Sequence, residues 1–281
     1  MVEAPATIAT LIAQGTAAFR ASGIDEPRRD ALRLWSDLAL PTAHLLRTDA
    51  SVAAADADRY LAAVAARAAG APLAYVTGWT GFRHLTIRCD RRALIPRPET
   101  EGLVERALSR VSTGIAVDVG TGTGAIALSL AMEGRFDEVW GIDLSGDALS
   151  LAAENGTSTG ISVRWVHGDL LDPIARGRVD LIVSNPPYLT ANEYDTLPSS
   201  VRDYEPELAL RSGTDGLDAT RRLLQRAQEA LKPGGWIAME VDCRRADAAA
   251  ASASDGGWRD IVIEDDLFGR ARYLLARRGT E

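Results

Sequence analysis

Residues 115–132 read "IAVDVGTGTGAIALSLAM". An apolar stretch ends in alternating glycines and threonines, and a second apolar stretch of helical length follows. The first is short enough for a buried strand and the second long enough for a helix. The glycines between them allow positive φ and let backbone approach a ligand where helix N–H groups lack partners. The segment therefore reads as the first strand, ligand loop and helix of an open α/β sheet. Gly120-x-Gly122-x-x-Ala125 also satisfies the dinucleotide-binding pattern, with Asp143 at the distance expected of a ribose-binding acid, so the loop alone leaves the nucleoside ligand open.

Working outward, strand and helix patterns keep alternating. "EVWGID" (138–143) leads to a helix capped by Ser145, and "VRWVHGD" (163–169) and "VDLIVSN" (179–185) follow. A helix through "LDATRRLLQRAQEAL" precedes "GWIAMEV" (235–241), and "DIVIEDD" and "ARYLLAR" close the chain. The alanine-rich "RADAAAASAS" (245–254) reads as a surface helix. This is the pattern of a doubly wound, mainly parallel sheet. Asp118 precedes the glycine loop, Asp143 is expected to end the second strand, and Asp169 the third. Acids at that carboxyl edge suit a ligand with ribose hydroxyls, an exocyclic amine and positive charge. S-adenosylmethionine has those parts.

The first ~70 residues carry only helical periodicity. Ile8, Leu11, Ile12 and Phe19 share one face, closed by Gly23. Asp25 is the expected cap of a second helix, with Leu32, Trp35 and Leu38 inward and Pro41 beyond its end. Ser51 is the expected cap of a third, with Tyr60, Leu61 and Val64 inward until Gly70. "LAYVTGWTGFRHLTIRC" (73–89) then alternates as a β-hairpin does, and a helix begins at Glu99-Thr100-Glu101.

A further stretch decides the chemistry. "VSNPPYL" (183–189) ends a strand with two residues that cannot donate to a ladder. The fourth strand of this topology emerges beside the first, so Asn185 would face a bound methyl donor. A planar amide or nucleobase amine is a poor nucleophile because its nitrogen lone pair is delocalised. The Asn185 side-chain oxygen and the Pro186 carbonyl would hold its two N–H groups, aim the nitrogen and favour the developing cation. The rigid Pro186-Pro187 pair fixes the carbonyl, and the Tyr188 ring covers the planar group.

Composition narrows the partners. The net charge of −8 argues against sequence-independent attraction to nucleic acid. Cys89 and Cys243 fit no metal-ligand spacing and read as reduced structural thiols, and no metal is expected. His44, His84 and His167 are scattered and read as structural. Neither a signal peptide nor a run of ~18 apolar residues is present, so the expected location is the cytoplasm. An amino-methyltransferase of adenine or cytosine would share Asn-Pro-Pro-Tyr but lacks a basic recognition domain here. A non-catalytic S-adenosylmethionine binder would not need that element, and a nicotinamide dehydrogenase would need a hydride-site acid–base pair that is not evident.

"ALIPRPETEGLVERAL", "DVGTGTGAIALSLA", "LIVSNPPYL", "YEPELAL" and "DGLDATRRLL" together resemble the HemK/PrmC family over roughly residues 70–240. The resemblance implies an N5-glutamine methyltransferase acting on the Gly-Gly-Gln motif of class I peptide chain release factors in translation termination. It implies a class I (Rossmann-like) S-adenosylmethionine-dependent fold with a small N-terminal helical bundle joined by a β-hairpin. The expected domains are a helical substrate-recognition domain (1–72), a hairpin linker (73–95) and a methyltransferase domain (96–281). Gly120, Thr121, Gly122, Thr123 and Gly124 would lie along the cofactor, and Asp143 would hold the ribose. Asp169 and Leu170 would lie beside adenine, and Asn185 would face cofactor and substrate. Asn185, Pro186, Pro187 and Tyr188 would form the glutamine site, with Asn185, Pro186 and Tyr188 catalytic, while "RPETE" (97–101) closes over the methionine end. The expected partner is a release factor, with no stable nucleic-acid binding and no membrane. Two stretches depart from the family pattern, Asp242-Cys243-Arg244-Arg245 and "FGRARYL" (268–274).

Overall fold

A computed structural model describes residues 6–38 and 49–280. The chain divides into two compact units, one running to Trp79 and including Ser199–Tyr204, the other formed by Thr80–Pro198 and the chain from Glu205 on.

The first unit is helical: α1 (Ile8–Ala21), α2 (Pro27–Asp37), α3 (Ala54–Ala68), α4 (Leu73–Thr77) and the single turn α9 (Ser199–Arg202). Its core gathers Ile8, Leu11, Phe19, Leu34, Trp35, Tyr60 and Val64. The Trp35 and Tyr60 rings pack with centroids 5.3 Å apart, and the Tyr60 hydroxyl donates to the Ala31 carbonyl at 3.1 Å. Several local expectations are corrected here. Asp25 does not cap α2, which starts at Pro27 with no side-chain cap, because proline has no N–H to satisfy. Ser51 instead bridges to Thr7 through the backbone, and α3 starts from Ala53 without a side-chain cap. Leu32 and Leu61 are exposed, since the inward stripes run Ala31–Leu34–Trp35 and Ala57–Tyr60–Val64. Alanines hold the inward positions that a search for large apolar side chains gives to leucine. Pro41 and His44 lie outside the described residues. The hairpin is shorter than expected: Leu73–Thr77 forms a helical turn closed by Gly78 in the left-handed region. Alternation therefore persists only through β1 (Trp79–Phe82) and β2 (Leu85–Arg88).

The second unit continues with α5 (Pro98–Arg110), β3 (Thr113–Val119), α6 (Ala125–Glu133), β4 (Arg135–Asp143), α7 (Gly146–Thr159), β5 (Arg164–His167) and β6 (Val179–Ser184). Then come α8 (Ala191–Asp195), α10 (Asp218–Ala230), β7 (Leu231–Glu240), α11 (Ala246–Asp255), β8 (Arg259–Asp265) and β9 (Ala271–Arg277). Seven strands pair in the order β5-β4-β3-β6-β7-β9-β8. The first five run parallel, and β9 is antiparallel to both its neighbours. Covered on both faces, β3 is buried from Ala116 onward and β6 throughout except at the half-buried Asp180. On α10, Thr220, Leu223, Leu224, Ala227 and Ala230 make the buried stripe of an amphipathic helix. The alanines of α11 serve a purpose, since Ala246, Ala249 and Ala253 are buried in the core under the sheet. The strand order reverses at β3/β6, the place where open α/β sheets bind ligands.

Candidate functional site

The register of β3 with β6 sets the site. Val119 lies opposite Ser184, whose hydroxyl donates to the Val119 carbonyl at 2.7 Å, so Gly120 and Asn185 leave the sheet side by side. The glycine loop and the Asn-Pro-Pro-Tyr element are thus brought together by sheet topology.

On the loop side, Gly120, Gly122 and Gly124 all have positive φ. Gly120 faces open space, and around Gly122 a side-chain carbon would find only the Ala93 methyl at 3.9 Å. Gly124 differs, because a Cβ there would press on the Trp165 ring and Ala152, so its bareness serves helix–sheet packing. The Thr121 and Thr123 side chains are buried. The Thr121 hydroxyl donates to Asp118 Oδ2 at 2.5 Å, and the Ala127 N–H donates to the same oxygen at 3.2 Å. Asp118 Oδ1 has no hydrogen-bond partner. Burial pushes this carboxyl up to about 7, against the hydrogen bonds from Thr121 and Ala127. A buried carboxylate with an orphaned oxygen, beside a cradle free of side chains, fits a cationic nucleoside such as S-adenosylmethionine.

Asp143 ends β4 as expected. Its oxygens accept from the Gly122 and Ser145 N–H groups, each at 2.8 Å, which locks the acid to the glycine loop. Burial raises its pKa, with these backbone donors opposing the rise. Asp169 is corrected: β5 ends at His167, and Asp169 stands just past the edge, holding Arg222 at 2.6 Å. Leu170 adopts φ +51° and packs partly on the core, while Leu144, half exposed, follows Asp143. His167 Nε2 lies 2.9 Å from the Leu144 carbonyl.

On the other side, Asn185 Nδ2 donates to Thr100 Oγ1 at 3.1 Å, and the Thr100 hydroxyl donates to Glu240 Oε2 at 2.7 Å. With its single proton committed to Glu240, the Thr100 hydroxyl accepts from Asn185. The Asn185 amide is thereby oriented with its oxygen away from Thr100. Glu240 is buried, which raises its pKa, while hydrogen bonds from Thr100 and Tyr188 and the Arg272 charge favour the carboxylate. Burial likewise pushes the Tyr188 phenol up. Pro186 is buried, whereas Pro187 and Tyr188 are half-buried.

Sequence pattern does not single out Thr100 and Glu240. Nothing local marks them, since they lie 85 residues before and 55 after Asn185. The stretch "RPETE" carries the sequence signal for this region, and its anchors come from distant elements. Glu205, buried in "YEPELAL", accepts from the Ile95 N–H at 3.1 Å and from Arg97 at 2.6 Å. Tyr273 donates its hydroxyl to the Glu99 carbonyl at 2.6 Å.

The departing segment after Glu240 makes an ionic clamp. Arg245 donates to Asp242 at 2.8 Å, to Glu193 at 2.7 Å and to the Asp215 carbonyl at 2.6 Å. It ties the end of β7 to α8, which directly follows the Asn-Pro-Pro-Tyr element. Gly216, at φ +78°, passes so close to the Tyr188 carbonyl that a side chain there would collide with it. Both cysteines are free, Cys89 buried and Cys243 exposed. Among the described residues, no cluster of His, Cys, Asp and Glu would hold a metal, and no helix is long and apolar enough to cross a membrane.

Residues 99–199 match the methyltransferase small domain, and residues 10–78 match the PrmC N-terminal domain. The chain is 42% identical to a release factor glutamine methyltransferase of Deinococcus radiodurans, over 95% of this chain and 97% of that protein. It is 42% identical to the Cereibacter sphaeroides protein of the same name, over 92% and 93%. Among solved structures, a methyltransferase from Pyrococcus furiosus shares the fold with a TM-score of 0.54 at 20% identity, covering 70% of this chain and 90% of that one.

Proposed function

The chain belongs to the release factor glutamine methyltransferase family, and from that premise we infer that it methylates the side-chain amide nitrogen of the Gly-Gly-Gln glutamine in class I peptide chain release factors, using S-adenosylmethionine. The observation that carries the reading is the orientation of Asn185. Its Nδ2 is committed to Thr100, so Oδ1 is the atom presented to an acceptor beside the glycine loop.

When bound, S-adenosylmethionine supplies a methyl group made electrophilic by its sulfonium. Gly120 to Gly124 carry the backbone cradle, Asp143 takes the ribose hydroxyls, and the unpartnered Asp118 oxygen takes positive charge at the methionine end. Leu144 and Leu170 offer apolar faces to adenine, with Asp169 at its rim. Asn185 Oδ1 and the Pro186 carbonyl accept the two N–H groups of the glutamine amide. That aims the nitrogen lone pair and opposes the positive charge that grows on nitrogen. Pro187 and the Tyr188 ring enclose the planar amide, and Thr100 and Glu240 act on it only through Asn185 and Tyr188. The displaced proton leaves to water. The helical unit, residues 1–72, recognises the folded substrate, and the enzyme works in the cytoplasm without stable nucleic-acid binding.

The test is transfer of labelled methyl from S-adenosylmethionine to a purified release factor, to its Gln→Glu form, and to DNA and tRNA. Labelling of the release factor alone is expected, because glutamate lacks the NH₂. Equal labelling of the Gln→Glu form would remove glutamine as the acceptor, and labelled nucleic acid would favour the nucleobase reading.

A further inference from the structure

Two large apolar side chains stand almost wholly in solvent at the β8–β9 turn: Leu267 is 99% exposed and Phe268 73%. Singly exposed apolar residues are ordinary, but an adjacent pair at the apex of a fixed turn is not. The turn is fixed by Asp266, which is itself buried. Asp266 Oδ1 accepts from the Phe268 N–H at 2.9 Å and the Arg270 N–H at 3.0 Å, and Oδ2 accepts from Arg272 at 3.3 Å. The Asp266 N–H donates to the Arg270 carbonyl at 2.8 Å, and the Gly269 N–H donates to the Asp266 carbonyl at 3.0 Å. With its backbone so satisfied, the turn needs nothing from its apex side chains.

Its position gives the apex a use. Glu240, the partner of Thr100, lies opposite Tyr273 in the β7–β9 register, and the Val241 N–H donates to the Arg272 carbonyl at 2.9 Å. Ala271 is two residues, about 7 Å, further along β9, and the turn lies beyond it on the carboxyl edge that carries Asn185 to Tyr188. A pocket that holds one glutamine side chain leaves the protein surface around that glutamine to meet this rim. Beside the pair stands Arg270, its guanidinium 5.8 Å from the Phe268 ring centre, with no carboxylate among the described residues paired to it.

We propose that the Leu267–Phe268 apex is a preorganised docking point for the protein substrate, seating in an apolar hollow of the release factor bordered by a carboxylate, next to its acceptor glutamine. The inference rests on the release-factor reading above. An apex already held in its bound shape loses little freedom on docking, which is what a small hot spot requires.

The variants Leu267→Ser and Phe268→Ser, which keep Asp266 and Gly269, test it in the full-length enzyme. Steady-state kinetics with intact release factor should show KM raised about 10- to 100-fold in the double variant. The kcat and the calorimetric affinity for S-adenosylmethionine should stay at wild-type values. An unchanged KM would overturn the proposal. So would a fall in kcat at constant KM, which would make the turn a support of the catalytic edge. A change of oligomeric state in ultracentrifugation would reassign the apex to contacts between copies of this chain. The single Leu267→Ser change, at a fully exposed position, keeps the question decidable if the double variant folds poorly. A wild-type enzyme that transfers no methyl to release factor would instead sink the substrate assignment, so the two failures are distinct.

Discussion

The two halves of the proposed site are built by different means. The donor half is backbone: a glycine loop pinned to Asp143 by the Gly122 N–H, with Asp118 beneath it, all within 26 residues of sequence (118–143). The acceptor half is side chain: Asn185, Thr100, Glu240 and Tyr188 come from β6 and its following loop, from α5 and from β7, and meet through hydrogen bonds. A half made of backbone tolerates side-chain changes around it and depends on glycines. A half made of a relay depends on every member, because each hydroxyl or amide has a fixed number of protons to give. If that contrast is correct, substitutions in one half should leave the other's property intact.

After Asn185 itself, the largest separation is expected at Asp143. Asp143→Ala removes the acid assigned to the ribose and should weaken S-adenosylmethionine binding by ~1.5–3 kcal/mol, about 10- to 150-fold. Calorimetry measures it, and an unchanged affinity would remove Asp143 from the donor half. NAD should not compete.

A middle effect belongs to Thr100. Thr100→Val keeps the shape but frees the Asn185 amide to turn, and should lower kcat about 10-fold, the worth of one hydrogen bond of about 1.4 kcal/mol. S-adenosylmethionine affinity should not move, and Thr100→Ser should restore most of the rate. Serine behaving like valine would mean that Thr100 only packs.

The smallest effect is one of pH. In the free protein the Asp118 pKa, about 7, lies above its unfolded value, so this group lowers folding stability as pH rises from about 4 to 7. A cation beside Asp118 favours the carboxylate. S-adenosylmethionine should therefore bind a few-fold more tightly as pH rises through 7, with proton release. Calorimetry in buffers of different ionisation heat should detect that proton in the wild type and not in Asp118→Asn. A wild-type affinity flat across this range would separate Asp118 from the donor.

The same contrast explains what was legible in the sequence. The mainly parallel, doubly wound sheet, the glycine loop and the meeting of Gly120 with Asn185 follow from apolar runs and glycine spacing, signals contained in short windows, whereas the full strand order and the antiparallel β9 do not. Thr100 and Glu240 were hidden because a buried hydroxyl and a strand-end acid carry no periodicity, and their meaning exists only once β6, β7 and α5 are packed. In the helical unit, Leu32 and Leu61 face solvent because alanines such as Ala31 and Ala57 fill the inward positions. The Leu73–Thr77 turn reads as strand in the sequence because its apolar residues suit either period, and only the left-handed Gly78 marks it as a helix end. The Asp242–Arg245 departure became intelligible as a clamp on α8 only with Glu193 in place.

In the proposed reaction Asn185 faces both cofactor and substrate, but its contribution is to aim the acceptor amide and not to hold the donor. The decisive measurement is single-turnover transfer to release factor at saturating S-adenosylmethionine, for the wild type and Asn185→Ala. The predicted result is a rate lower by about 10²–10³ with cofactor affinity nearly unchanged. A wild-type rate in the variant, or a loss explained entirely by weaker cofactor binding, would contradict it.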